Sequence, residues 1–426
     1  MQTETHKQSL LDKLNAGKPL YTSLPEDKSK RIIGTETEFG ISNVKESQIP
    51  GFISNGGRIY IDNGHHLEYC TPESLGPLEA TLYELAGEEL CKSYADEITK
   101  NIIDLHGNCW GAHENYSCSI NPEESHKFMP LVLFLITRQI FTGAGRYFWD
   151  KGKNQRTFSL SQRSSFITHL EHVDTQKGRR GIICTRDERH TNVDRLYRFH
   201  LIVGDANRSP MAIFLKLGTT ALMLELLEKK ALPKIAYTYD IERALYDLNN
   251  INKKTEKWTV YGTNPLNMDA IDVLREHWKS AQILKGRDQI TDDTLDIWEN
   301  TLDNLEQNPR LLRRRLDWVK KREIAECFLN SIPQQIDQEN NTILETLDLQ
   351  YHIVKAEEDY FGFNFFNQEG EIEKLFSPEL IRKAMTAPPP NTRASIRAKI
   401  IDEFYNENIS NSALFDKSYS WGWDTI

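Results

Sequence analysis

Glu36 and Glu38 stand two residues apart in RIIGTETEFGIS (31–42), a stretch that alternates as a strand does. Side chains at i and i+2 of a strand share a face, so these carboxylates sit side by side and repel unless water or a cation lies against them. Hard oxygen donors in that arrangement suit Mg²⁺. RIYID (58–62) repeats the pattern: Ile59 and Ile61 turn to the core, while Arg58, Tyr60 and Asp62 place a cation, a phenol and a carboxylate on the other face. Glu68, Thr71 and Glu73 follow closely. Either strand alone equally describes a solvated surface. Two neighbouring strands rich in carboxylates point to a metal–nucleotide site, because Mg²⁺ commonly bridges protein carboxylates to substrate phosphates. Such a site also needs cations. Arg186 follows a predicted strand, Arg198 and His200 share one face of the next, and His113 opens the polar stretch HENY (113–116). A lone histidine is more often a satisfied structural group than a ligand, so these residues carry weight only together.

The elements that must hold these groups are legible in outline. Strands are expected at 31–42, 58–62, 181–185 and 196–203, with Asn55-Gly56-Gly57 as the turn before the second. Leu78, Leu82, Leu85 and Leu90 recur at helical spacing, which predicts a helix over 78–104, opened by Gly76-Pro77. Buried helices are expected at 131–141, ending at Gly143-Ala144-Gly145, and at 211–227. The stretch 235–330 reads as helical, most clearly over 310–329. Residues 1–29 lack a hydrophobic stripe and predict a flexible arm. Pro388-Pro389-Pro390 is the expected boundary between a main domain over 30–385 and a small, shortened C-terminal domain over 386–426 that carries a last helix at 392–405.

Composition narrows the function classes. The net charge of −10 argues against a general nucleic-acid binder, whose affinity comes from cations that neutralise phosphate. The run Met129–Ile136 is far shorter than the ~20 apolar residues of a membrane span, so a soluble protein is expected. Six cysteines without a C-x-x-C pair predict free thiols and a cytoplasmic setting. The sequence contains no P-loop, no G-x-S-x-G and no H-E-x-x-H, so a phosphate site must be built on a sheet face.

Ten segments then recur in order: GTETEFG (34–40), NGGRIYIDNGHHLEYCTPE (55–73), GAHENY (111–116), TRQIFTGAGR (137–146), LSQR (160–163), TRDERH (185–190), RFHLIVGDANRSP (198–210), LKLGTTAL (215–222), LDWVKK (316–321) and LDLQY (347–351). Together they resemble the Pup ligase and Pup deamidase/depupylase family, over about residues 31–423. The resemblance implies an α+β fold related to glutamine synthetase, in which a curved antiparallel sheet packed with helices cradles Mg-ATP and a small C-terminal domain follows. It implies that ATP phosphorylates a glutamate side-chain carboxylate and that an amine then attacks, or that the matching amide is hydrolysed. Residue by residue, Glu36, Tyr60 and Glu68 match magnesium positions, and Arg58 and Thr71 match nucleotide positions. Asp62 matches the catalytic aspartate, and Trp423 matches a nucleotide-contacting tryptophan, with Trp421 as the fallback. Glu38, His113 and His200 fall in similar motifs as metal candidates, and Arg186 and Arg198 as nucleotide candidates.

The sequence also departs from the family's pattern. His66-Leu67-Glu68-Tyr69 stands where the family has His-Pro-Glu-Tyr, and Arg189 replaces a proline. Only about a dozen residues join Ser42 to Asn55. These changes fall near the substrate side. Phe39 and Asn63-Gly64 lean toward the ligase; Thr71-Pro72-Glu73, LKLGTTAL and LDLQY lean toward the deamidase. The short connection after the first strand lacks the deamidase's long loop. The expectation is an ATP-dependent carboxylate–amine ligase, with an amidase as the alternative. Its expected partners are ATP, a carboxylate donor (a Pup-like tail or a glutamate-containing small molecule) and an amine acceptor, with no nucleic acid and no membrane.

Overall fold

The strand Ile32–Ser42 (β1) is built as its alternation predicts: Ile33, Thr35, Thr37 and Phe39 are buried, while Glu36 and Glu38 turn to the opposite face. The computed structural model describes residues 2–104, 106–150, 155–176, 178–186, 196–235, 240–249, 258–261, 267–331, 338–357 and 362–406. After β1 come Gly51–Phe52 (β2), Arg58–Ile61 (β3), Leu67–Cys70 (β4), Ser74–Leu75 (β5), Glu97–Thr99 (β6) and Ala112–Cys118 (β7). A separate hairpin of Arg146–Asp150 (β8) and Gln155–Ser159 (β9) precedes His169–His172 (β10), Gly181–Cys184 (β11) and Tyr197–Leu201 (β12). The main sheet runs β10-β11-β12-β7-β1-β4-β3-β2, with β5 and β6 pairing further along β1 and Ile353–Lys355 pairing β6. All its pairs are antiparallel except β10 with β11. With helices covering one face, the fold is α+β.

Helix Gly76–Cys91 (α2) and helix Pro210–Glu228 cover the inward face. The latter starts where Ser209 Oγ accepts from the Ala212 N–H at 3.4 Å and Pro210 occupies the first turn. It stops where Lys230 takes a left-handed φ of 54°. By length and composition this helix could cross a membrane, but 89% of its apolar window is buried inside the protein, so it is a core helix. α2 approaches β4 so closely that a Cβ on Gly87 would fall 1.8 Å from Tyr69 Cε1, and only glycine fits there. All six cysteines are free thiols.

Three expectations are corrected. Residues 2–15, read as a flexible arm, form a helix (α1) whose Leu10 and Leu14 join the core. An i, i+4 leucine pair is enough to dock one face. His6 pairs Asp293 at 2.7 Å, and Tyr21 bridges Phe376. The helix predicted over 78–104 ends at Cys91: Ser93 and Tyr94 fold back on the Leu90 and Cys91 carbonyls, and Glu97–Thr99 joins the sheet. Leucine spacing stops at Leu90, and Lys100 is buried between Glu84 (2.9 Å) and Glu88 (3.3 Å). The stretch 235–330 is not continuously helical. A hairpin, Thr259–Tyr261 with Asn267–Asp269, interrupts it, and the helix expected at 310 begins at Asp317. Before it, Arg315 turns inward to pair Glu373 at 2.7 Å.

The last described helix, Ala394–Asn406, is held to the sheet by one carboxylate. Glu73 takes Arg393 Nε at 2.6 Å and Arg397 Nη1 at 3.1 Å, and Arg397 also donates to the Gly56 carbonyl. Burial alone would raise Glu73; Arg397 and Arg393 outweigh it and hold the carboxyl at about 2. A depressed folded pKa contributes stability that is present above the unfolded value of about 4.5 and is lost as pH falls toward 2, here roughly 3 kcal/mol. The hydrogen-exchange protection of residues 394–406, corrected for the intrinsic rate at each pH, is therefore expected to fall as pH drops below about 4.5. A Glu73→Gln variant should show that reduced protection already at pH 7; unchanged protection in the variant would refute the clamp.

Candidate active site

On the outward face of the sheet, strand register sets the side chains in rows. Arg58 of β3, Cys70 of β4, Glu36 of β1 and His113 of β7 stand side by side. Two residues along, Tyr60, Glu68 and Glu38 form the next row. Asn115 faces His200 across β7 and β12, and Ser117 faces Arg198. Asp62 lies one residue past β3, in a turn it holds itself: its Oδ1 accepts from the His66 N–H at 2.6 Å. His65 takes the left-handed φ of 60° that this turn requires.

The imidazole end is tightly bonded. Glu36 Oε1 accepts from Arg198 Nη2 at 2.7 Å and Asn115 Nδ2 at 3.0 Å, and Asn115 Oδ1 takes Arg198 Nε at 2.6 Å. Glu36 Oε2 lies 3.1 Å from His113 Nδ1 and 4.0 Å from His200 Nε2. Burial would raise the Glu36 carboxyl, but Arg198 and the two histidines hold it well below the usual range. Burial and Arg198 push His200 well down, which keeps its ring neutral.

The carboxylate end has the opposite character. Burial, then Glu36, Glu38 and Asp62, push Glu68 up to about 8. Burial and the neighbouring Cys70 and Glu68 raise Tyr60 far above the usual phenol range, so it stays a neutral oxygen donor. Cys70 Sγ lies 3.6 Å from Glu68 Oε1, and burial beside Glu68 and Glu36 raises its thiol. Negative charge here exceeds what the surrounding groups neutralise, and oxygen donors dominate. That combination fits a hard divalent cation held by Glu36, Glu38, Tyr60 and Glu68. At the edge, the His66 ring stacks on Trp110 at 4.7 Å and lies 3.5 Å from Asp62 and 3.6 Å from Glu38.

The structure thus brings together ten residues read from the sequence: Glu36, Glu38, Arg58, Tyr60, Asp62, Glu68, Thr71, His113, Arg198 and His200. Arg58 lies over the Tyr60 ring at 4.1 Å. Thr71 Oγ1 accepts from the Thr35 N–H at 2.9 Å, tying its hydroxyl to β1 while leaving the proton to donate. Arg186 is exposed just past β11, and its charge adds to the lowering of His200. Trp423 and Trp421 lie outside the described residues. Asn115 was missed although the i+2 rule from His113 places it on this face. Trp110 had no local signal, and Arg163, which ends the LSQR segment, was not singled out: it reaches His113 Nε2 at 3.4 Å from fifty positions away.

Similarity to known proteins agrees with this geometry. The Pup-ligase protein family matches residues 45–421. A depupylase of Acidothermus cellulolyticus is 32% identical over 405 residues, covering 90% of this chain and 77% of that protein. A Pup–protein ligase of Acidimicrobium ferrooxidans is 29% identical over 417 residues, covering 88% and 89%. The solved structure of the Pup ligase PafA in complex with ADP superposes with a TM-score of 0.73 at 27% identity, covering 86% of this chain and 82% of that one.

Proposed function

We propose, from the premise that this chain belongs to the Pup-ligase protein family, that it is an ATP-dependent carboxylate–amine ligase acting on the side chain of a glutamate in a Pup-like tail. The observation that carries this reading is the sheet face itself: Asp62 stands beside an oxygen-rich cation position (Glu36, Glu38, Tyr60, Glu68), with Arg58 and Arg198 on the same face. A magnesium ion bound there would neutralise phosphate charge and polarise the transferred phosphoryl group.

The protein's own groups supply the rest. Carboxylate and triphosphate repel, so Arg58, with Thr71 able to donate nearby, orients the nucleotide. An amine is protonated at neutral pH and attacks only after losing its proton. Asp62, on a rigid turn at the rim, is placed to take that proton. His66 lies 3.5 Å from Asp62 and 3.6 Å from Glu38.

The test is intact-mass spectrometry of Pup ending in Glu, and separately in Gln, incubated with the protein, Mg-ATP and hydroxylamine. A hydroxamate on the Glu form with ADP release is expected. The second reading, an amidase, is favoured by the likeness to a depupylase. It predicts conversion of Gln to Glu without net ATP consumption, and that result would overturn the ligase reading.

Gly111 offers a sharper probe of the cation position. A Cβ there would fall 2.4 Å from Glu38 Oε1 and 2.6 Å from His113 Nε2, so both side chains must move. Groups that orient metal ligands are commonly worth 10–100-fold. Gly111→Ala is expected to raise the KM for Mg-ATP about tenfold without unfolding the protein, measured by ADP release across an ATP series. An unchanged KM would mean that Glu38 and His113 do not shape the nucleotide site.

A further inference from the structure

Two buried guanidiniums meet just before β7, and among the described residues neither has a carboxylate within ion-pair distance. Arg163 is 1% exposed. Its Nε donates to the Ile202 carbonyl, its Nη1 to the Trp110 carbonyl, and its Nη2 reaches His113, so each nitrogen is taken up inside the protein. Arg180, just before β11, is 8% exposed. Its Nε donates to the Thr175 carbonyl at 2.9 Å and its Nη2 to the Cys109 carbonyl at 2.7 Å, while its Nη1 has no protein partner among the described residues. Burial and the like charge of Arg163 lower the Arg180 pKa, and Glu38 acts on it only from beyond ion-pair distance. Two like charges held together out of water are costly unless an anion neutralises them.

The place of this pair on the fold gives it a use. The Glu38 N–H donates to the Gly111 carbonyl at 3.0 Å, so the Cys109–Trp110 edge lies along β1 past Glu38. The Trp110 ring stacks on His66 at 4.7 Å, and His66 is 3.5 Å from Asp62. Arg180 therefore stands at the Asp62 end of the face, whereas Arg198 faces Ser117 at the other end. A donor tail that ends in glutamate carries two carboxylates: the side-chain group that reacts and the main-chain group that must be kept from reacting. We propose that Arg180 is the residue that tells them apart, its open Nη1 edge taking the main-chain carboxylate of the terminal glutamate so that only the side-chain carboxylate reaches the cation position. A planar guanidinium matches a carboxylate in both charge and shape. Arg163 adds positive charge behind it and braces the Cys109–Trp110 edge. The inference deepens the ligase reading and rests on it for the identity of the donor.

The experiment measures binding rather than turnover. Fluorescein-labelled Pup ending in Glu is titrated with the full chain in Mg-ADP and followed by anisotropy, once with its terminal main-chain carboxylate free and once with that group as a carboxamide, the side-chain carboxylate being kept in both. Wild type is expected to bind the free acid about tenfold or more tightly than the amide, the worth of a charge-assisted hydrogen bond. Arg180→Gln should bind the two forms alike, and Arg180→Lys, which keeps the charge without the fork, should retain part of the difference. Arg179→Gln, at an exposed neighbour, should retain all of it. Equal binding of the two forms by wild type, or binding of neither, would overturn the proposal whether or not the variants fold. A preference that survives Arg180→Gln undiminished would overturn the role of Arg180. A preference for the free acid in a protein that forms no hydroxamate would overturn the ligase reading and leave this subsite standing.

Discussion

An Asp62→Asn variant is expected to lose about 10³-fold in kcat for hydroxamate or amide formation while its KM for Mg-ATP changes little. A positioned general base contributes ~10²–10⁴-fold. On the proposed reading, Glu38 and Glu68, the carboxylates beside Asp62 among the described residues, are taken up by the cation, and burial beside the other carboxylates raises Glu68 to about 8. Asparagine is the informative substitution because Asp62 has two tasks. Its Oδ1 accepts the His66 N–H and fixes the turn; an amide oxygen continues that bond but takes no proton from an amine. Turnover is read by ADP release and product mass, and folding by circular dichroism and thermal midpoint. A variant that retains full turnover would remove Asp62 from the chemistry. A variant that loses midpoint and turnover together would show that its structural task dominates.

The second large effect lies directly behind the site. Glu114 of β7 points away from His113 and Asn115, into the core, and receives Arg138 Nη2 at 2.5 Å and Nη1 at 2.9 Å. Tyr116 donates to the same carboxylate at 2.7 Å. Both charged groups are almost fully buried. Removing one member of such a pair strands the other charge, at roughly 3–5 kcal/mol, whereas replacing both with apolar groups is often neutral. Glu114→Ala should therefore lose roughly 3–5 kcal/mol in urea unfolding, and Glu114→Leu combined with Arg138→Met should recover most of it. If the single variant loses less than ~1 kcal/mol, water must reach Arg138. Because β7 carries catalytic-face residues on its other side, the single variant should also lower Mg-ATP affinity.

The strands were legible because an i, i+2 pattern with one apolar side dictates both the element and the face. Glu36, Glu38, Arg58, Tyr60 and the Arg198/His200 pair were placed by that rule alone. Which strand lies beside which was not legible from periodicity. The Glu36–His113 contact depends on β7 crossing to β1 after more than seventy residues. The docked N-terminal helix was missed because its burial rests on Leu10 and Leu14, too few for a stripe. The break after Cys91 was missed because Glu97–Thr99 is a strand only by virtue of the β1 edge it joins. The burial of Arg138, Lys100 and Arg315 has no signal in periodicity. Only the fold shows each with a buried carboxylate opposite.

The contact between Tyr21 and Phe376 has a consequence for how the chain is made. On a ribosome adding ~5–20 residues per second, the segment around Tyr21 waits roughly 20–70 s for its partner to be synthesised. The carboxylate that accepts its hydroxyl, Asp293, also arrives late. Until Gln289–Gln307 is made, the first helix lacks the helix it packs against, although β1 can already pair β4. The nascent chain therefore assembles its chemistry-bearing strands before it can close its own seam, and a factor that shelters the first twenty or so residues during translation would raise the yield of folded protein without touching the active site.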